Sequence, residues 1–84
     1  MPEEQIGVVS DFFARPVVAG IELTGTLKLG DTIHIQGHTT DLELTVTSMQ
    51  IHNRDVQQAT PGESVGIKLP DRCRRGDKVF KVIE

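Results

Sequence analysis

Arg72, Arg74, Arg75 and Lys78 crowd into a single run near the end of this 84-residue chain, Arg72-Cys73-Arg74-Arg75-Gly76-Asp77-Lys78. Guanidinium forks match pairs of phosphate oxygens, and a glycine beside them lets the backbone approach a ligand closely. The run therefore reads as an anion-contact loop. Asp71 and Asp77 supply the competing reading, an ordinary solvated turn in which the carboxylates pair with the same arginines. Between residues 68 and 81 six cations stand against two carboxylates, a net of +4; the whole chain is −3, so the remainder carries −7. A local basic patch on an acidic body suits one defined anionic contact, and no DNA coat is expected.

The remaining chemistry-bearing residues give weaker signals. His34, His38 and His52 occur without any C-x-x-C, H-x-H or H-E-x-x-H spacing, and neither a metal nor a cofactor is expected. A hairpin turning at residues 38–41 puts residue 34 opposite about 45, with His52 out of reach, so these histidines read as solvated surface groups. Cys73 lies among arginines whose field would lower its pKa if the thiol were exposed. No histidine base is adjacent in sequence, however, and an incidental or structural cysteine is the preferred reading. No catalytic residue is assigned, and the chain is not expected to be an enzyme. Gln50, His52, Asn53 and Arg54 make a second polar group, on the wet face of a strand and just beyond it. Of Phe12 and Phe13, alternation turns one away from the core, a modest hint of a protein contact.

These residues are carried on strands. Val17, Ala19, Ile21 and Leu23 share one face, and Ile33 and Ile35 share another, with Gly30-Asp31 between them. Period-two alternation bounded by Gly-Asp punctuation is the pattern of half-buried strands. Ile6 to Phe13 reads as a first strand after a loose polar lead at residues 1–5. Arg15-Pro16 ends it, with the proline at a strand start or edge because it lacks an N–H. Leu42 opens a longer fourth strand in which Leu42, Leu44 and Val46 share one parity and Met49 and Ile51 the other. That change of phase predicts a bulge or bend near Thr47-Ser48. Asn53 to Thr60 reads as loop, with at most a helical turn at Val56 to Ala59. Pro61-Gly62 marks a turn before a fifth strand carrying Val65, Ile67 and Leu69. Lys78 to Ile83 makes the sixth.

Six short strands without a helical period mean all-β, and a closed or nearly closed Greek-key barrel is favoured because closure removes exposed edges. A chain of this length buries only about 60–65% of its unfolded surface, so it forms one domain with a thin core. The single cysteine offers no disulfide framework. The start MPEEQIG lacks the pattern of a signal peptide, and no apolar run approaches about 18 residues. A cytoplasmic protein without a membrane segment is expected.

The stretches VVAGIELTGTLKLGDTIHI, TSMQIHNRDVQQATPGESVGIKL and RRGDKVFKV, in that order, resemble the second domain of translational GTPases such as elongation factor Tu and elongation factor 1-alpha. The shared features are Gly25 after the second strand, the turn Lys28-Leu29-Gly30-Asp31, and Gly62-Glu63-Ser64-Val65-Gly66 entering the fifth. The resemblance covers residues 6–84. It implies a six-stranded Greek-key barrel of the translation-protein type. The chain is similar both to free-standing elongation-factor-like proteins and to a barrel appended to some collagenase-like peptidases.

No G-x-x-x-x-G-K-[ST] loop is present, so GTP binding by this chain is not expected. In elongation factor Tu this domain contacts the aminoacylated end of tRNA with a glutamate, an arginine and an asparagine. Gln50, Asn53 and Ser64 stand at the matching positions, so the resemblance carries the scaffold and not that pocket. What it implies is a non-catalytic translation-type binding module that touches ribosomal RNA, tRNA or a translation GTPase. The contact residues would be Arg72, Arg74, Arg75 and Lys78, with Gln50, His52, Asn53 and Arg54. With three Phe and no Trp or Tyr, RNA would be met through backbone and shape, not base stacking. The alternatives are a protein-interaction adaptor barrel and an accessory barrel of a peptidase complex.

Overall fold

Alternation builds most of the elements. The computed structural model describes residues 2–15 and 17–83, and Pro16, expected at a strand start or edge, lies outside them. In chain order the strands are β1 (Glu3–Ala14), β2 (Val17–Leu23), β3 (Leu27–Lys28), β4 (Thr32–Gln36) and β5 (Asp41–Thr45). They continue as β6 (Met49–Ile51), β7 (Arg54–Val56), β8 (Gln58–Ala59), β9 (Ser64–Lys68) and β10 (Lys78–Val82). Ala19, Ile21 and Leu23 of β2, Ile33 and Ile35 of β4, and Val65 and Ile67 of β9 are buried, while polar residues between them face out. Among the described residues there is no helix, and none long and apolar enough to cross a membrane.

Eight strands form one antiparallel sheet in the order β5-β4-β10-β1-β2-β9-β6-β7, and β3 pairs with β8 in a separate ribbon. The all-β reading holds. Its strand count does not: six expected strands are ten, and the ladder is open, with β5 and β7 as its outer members. Ile33 and Ile35, near one edge, nonetheless join the same buried cluster as Met49 near the other, together with Leu27 and Ala59 of the ribbon. The sheet therefore wraps its core, and the ribbon covers what the open ladder leaves.

The N-terminal lead is more ordered than its polarity suggests. Glu3, Glu4 and Gln5 pair with Val82, Lys81 and Phe80 of β10, and register shifts mark irregularities between Gln5 and Gly7 and between Val9 and Asp11. Backbone hydrogen bonding to β10 draws the lead into the sheet, whatever its side chains prefer.

The phase change in the 42–51 region is resolved by a break. Val46 and Met49 are both buried, which a regular strand with period two cannot achieve for residues three apart. The chain leaves the ladder at residues 46–48. The Val46 N–H donates to the Asp31 carbonyl at 2.9 Å, and the Val46 carbonyl accepts from Gly30 N–H at 2.8 Å. Beyond the break β6 pairs with β9 and β7, whereas β5 pairs with β4. The bend expected near Thr47-Ser48 is present, and it moves the chain from one part of the sheet to another.

Two local readings are corrected. Within 53–60, expected as loop, β7 takes Arg54–Val56 and β8 Gln58–Ala59, and no helical turn forms at 56–59. His52 and Asn53, at φ 51° and 64°, make the two-residue turn between the paired Ile51 and Arg54. Positive φ at both central positions is the type I′ pattern, usually signalled by Asn-Gly, and His-Asn hides it. His34 stands opposite Glu43 and not residue 45, because Gln36 pairs with Asp41 and the four-residue loop is 37–40 and not 38–41.

A side chain at Gly7 would meet the Glu22 carbonyl at 2.7 Å and Ile21 Cγ2 at 2.9 Å, whereas at Gly66 the nearest contact is 3.6 Å. Gly7→Ala is expected to cost about 1–3 kcal/mol through overpacking against backbone that cannot yield. Gly66→Ala is expected to be neutral or mildly stabilising. Urea unfolding of the two variants beside the parent measures the contrast.

Candidate functional site

The basic loop runs from the end of β9 to the start of β10 and is tied to the sheet. Leu69 N–H donates to the Val17 carbonyl at 3.1 Å, Gly76 N–H to the Val9 carbonyl at 2.8 Å, and Val9 N–H to the Asp77 carbonyl at 2.8 Å. Gly76 has φ +88°, a conformation that a side chain would strain. Both carboxylates that were candidates to pair with the arginines serve the backbone as acceptors. Asp71 Oδ1 accepts from Arg72 N–H at 2.7 Å, and Asp77 Oδ2 accepts from Arg74 N–H at 2.8 Å. Asp77 is buried, at 7% exposure, so its role is to hold the loop in shape. The loop is ordered by its own acids, and the Arg72 and Arg74 guanidiniums have no ion-pair partner among the described residues.

The four cations do not form one cluster. Arg72 and Arg74 line a depression with Phe12, Thr39, Thr40 and Cys73. Arg75 and Lys78 line a neighbouring one with His38, Asp41 and Phe80, and Thr40 borders both. Arg75 Nη2 donates to Asp11 Oδ1 at 3.0 Å. That pair is solvated and energetically small, but it points the guanidinium back towards β1. The rim is thus a pair of adjoining hollows at the β4–β5 turn, one holding Arg72 and Arg74 with Asp71, the other Arg75 and Lys78 with Asp41 and Asp77.

The second group of expected contact residues sits elsewhere. Gln50 lines a hollow with Val18, Ser48, Asp55, Gly66 and Lys68, and its Nε2 donates to Asp55 Oδ1 at 3.0 Å. His52 and Asn53 form the hairpin turn, and Arg54 opens β7. All four are exposed, and none shares a depression with the arginine loop. Phe13 is 54% exposed while Phe12 packs against the core, as alternation requires.

Cys73 is buried, at 4% exposure. Burial first, and the Asp77 carboxylate second, push its thiol up from 9.0 to about 11. The neighbouring arginines do not offset this. His34 also departs from the surface reading. It lies between carboxylates, with Nδ1 at 3.0 Å from Glu3 Oε2 and Nε2 hydrogen-bonded to Asp41 Oδ1. Its side chain is only 16% exposed. Sequence reasoning missed this group because its partners lie 31 and 7 positions away. Among the described residues no His, Cys, Asp and Glu cluster suits a metal.

With the fold and rim described, the relationships of the chain become specific. The family model for elongation factor Tu domain 2 matches residues 16–79, and the chain belongs to that family. An uncharacterized protease of Methanocaldococcus jannaschii is 48% identical over 81 residues, covering 95% of this chain and 20% of the relative. A collagenase of Porphyromonas gingivalis is 31% identical over 78 residues, covering 90% of this chain and 22% of the relative. The chain thus spans about a fifth of the length of these curated relatives. Among solved structures, the C-terminal domain of a protein described as a U32 peptidase from Geobacillus thermoleovorans superposes with TM-score 0.88 at 14% identity. The match covers 95% of this chain and 93% of that one. GDP-bound aIF5B from Aeropyrum pernix gives TM-score 0.66 at 15% identity, over 98% of this chain and 14% of that one. At these identities the structural matches speak for the fold alone.

Two outcomes follow from the loop. The Cys73 thiol should react with iodoacetamide at neutral pH about 100-fold more slowly in the folded protein than after denaturation, since two pH units separate the thiolate populations. Mass-spectrometric labelling kinetics read this. Asp77→Ala should cost about 1–3 kcal/mol, the range for losing a charged acceptor of a backbone N–H, and Asp77→Asn less; thermal unfolding measures both.

Proposed function

We propose that the barrel is a non-catalytic binding module whose working surface is the arginine rim, and that its setting is an accessory domain of a U32-type peptidase. The observation that carries the rim is the division of labour in the 70–78 loop. Asp71 and Asp77 are occupied by Arg72 and Arg74 backbone N–H groups, which leaves the two guanidiniums outward and unneutralised. Guanidiniums presented on a braced loop favour a phosphate-bearing partner, because little ordering is left to do on binding. The accessory setting is supported by the 48% identity to a protease relative five times as long, and by the likeness to a U32 peptidase C-terminal domain.

A second reading, a translation-type module meeting ribosomal RNA, tRNA or a translation GTPase, is favoured by membership of the elongation factor Tu domain 2 family. Gln50, Asn53 and Ser64 lack the charges of that family's aminoacyl-end pocket. RNA contact therefore rests on the rim in both readings, through phosphates and shape.

Titration of a fluorescent structured RNA across a salt series tests the rim. Affinity should fall steeply with salt, and Arg72→Ala and Arg74→Ala should each flatten the log–log slope by about 1. Arg75→Ala, already turned towards Asp11, should weaken binding less. A salt-independent affinity, or one unchanged by both substitutions, removes the rim from the proposal. Capture of a U32-type peptidase chain by the Arg72→Ala/Arg74→Ala variant would support the accessory setting separately from RNA.

A further inference from the structure

The imidazole of His34 sits on the outer face of β4 where three strands converge. Its Nδ1 faces Glu3 Oε2 at 3.0 Å, from the first residue of β1, and its Nε2 meets Asp41 Oδ1, from the first residue of β5. Residues directly opposite on an antiparallel pair share a face. Glu43 of β5 and Phe80 of β10 flank His34 in this way. Lys78 of β10, opposite Gln36, is the nearest cation on that face. The charged groups around the ring are thus Glu3, Asp41, Glu43 and Lys78.

Both ring nitrogens donate only when the imidazole is protonated. A neutral ring has one N–H, so one carboxylate would face a lone pair. Loss of the proton would also leave Glu3, Asp41 and Glu43 with Lys78 as the nearest cation on that face. Neither strand end is otherwise held strongly. β5 is an outer strand paired only with β4, and residues 3–5 of β1 pair only with β10.

We propose that His34, gripped by Glu3 and Asp41, is a proton-operated latch that fastens the edge strand β5 and the start of β1 to the barrel and loosens both as the pH rises. The hydrogen bond to Asp41, and then that to Glu3 with both Coulomb attractions, outweigh burial and raise the His34 pKa above 6.5. A folded pKa above the unfolded one stabilises fully below the unfolded value and is lost as pH rises through the folded value. The latch is therefore closed in mild acid and releases above pH 6.5, over the range set by the raised pKa. What it controls is how firmly β5, one of the two outer strands of the sheet, is held to β4.

Amide hydrogen exchange of the whole chain between mildly acidic and mildly alkaline pH, corrected for intrinsic rates, tests this alongside histidine NMR titration. The His34 ring signals should titrate above 6.5. Protection of the Asp41–Thr45 and Glu3–Gln5 amides should fall across the same interval, by up to about tenfold per pH unit. Met49–Val56 amides, away from the latch, serve as the reference and should not follow. His34→Gln should abolish the pH-dependent part, and Asp41→Asn, which leaves the Glu3 contact, should reduce it. Protection of β5 that is constant through the His34 titration, or an identical pH dependence in His34→Gln, overturns the proposal. If both variants fail to fold, the wild-type comparison of β5 with Met49–Val56 decides.

Discussion

Val46 and Met49 are the constraint from which the architecture follows. Both are buried, they lie three residues apart, and alternating side chains of one strand cannot put both inside. The chain satisfies both by leaving the ladder for residues 46–48, using backbone bonds to Gly30 and Asp31 for the groups that lose their strand partners. This crossing lets β5 remain at the β4 edge while β6 reaches β9. The open eight-stranded sheet then surrounds one core. Burying apolar area in a chain of this size leaves little to spare, so a ribbon as short as β3–β8 matters: it contributes the fully buried Leu27 and Ala59.

The rim depends on that frame. Its loop spans β9 to β10 past the middle of β1, and hydrogen bonds to Val9 and Val17 set its path. Asp77 is held inside the turn by a backbone donor, close against Gly37 on the β4–β5 turn, where a Cβ would lie 1.9 Å from Oδ1. The glycine makes room for the carboxylate, the carboxylate shapes the loop, and the loop presents the arginines. The same burial explains why Cys73, in a run of four basic residues, behaves as a core thiol.

The relationship to translation factors and that to peptidase-associated domains are compatible at the level of fold. A wrapped antiparallel sheet with short loops at its ends is a scaffold, and the chemistry of its loops decides what it meets. The rim and the β6–β7 hairpin are separate surfaces here; the rim presents Arg72 and Arg74 and the hairpin Arg54, none of them in an ion pair among the described residues.

Local patterning in the sequence determined the all-β class, the inward faces of β2, β4 and β9, the break near Thr47-Ser48 and the outward turn of Phe13. Each is written in neighbouring residues, because strand alternation is a property of consecutive positions. The tertiary structure alone decided that β3, β7 and β8 exist, since two or three residues are too few to show a period. It also decided that the ladder stays open, that Asp71 and Asp77 accept backbone N–H groups, that Arg75 turns to Asp11, and that His34 is held between Glu3 and Asp41. Those outcomes depend on which strands lie side by side, and long-range hydrogen bonding selects that only when the whole sheet has assembled around its core.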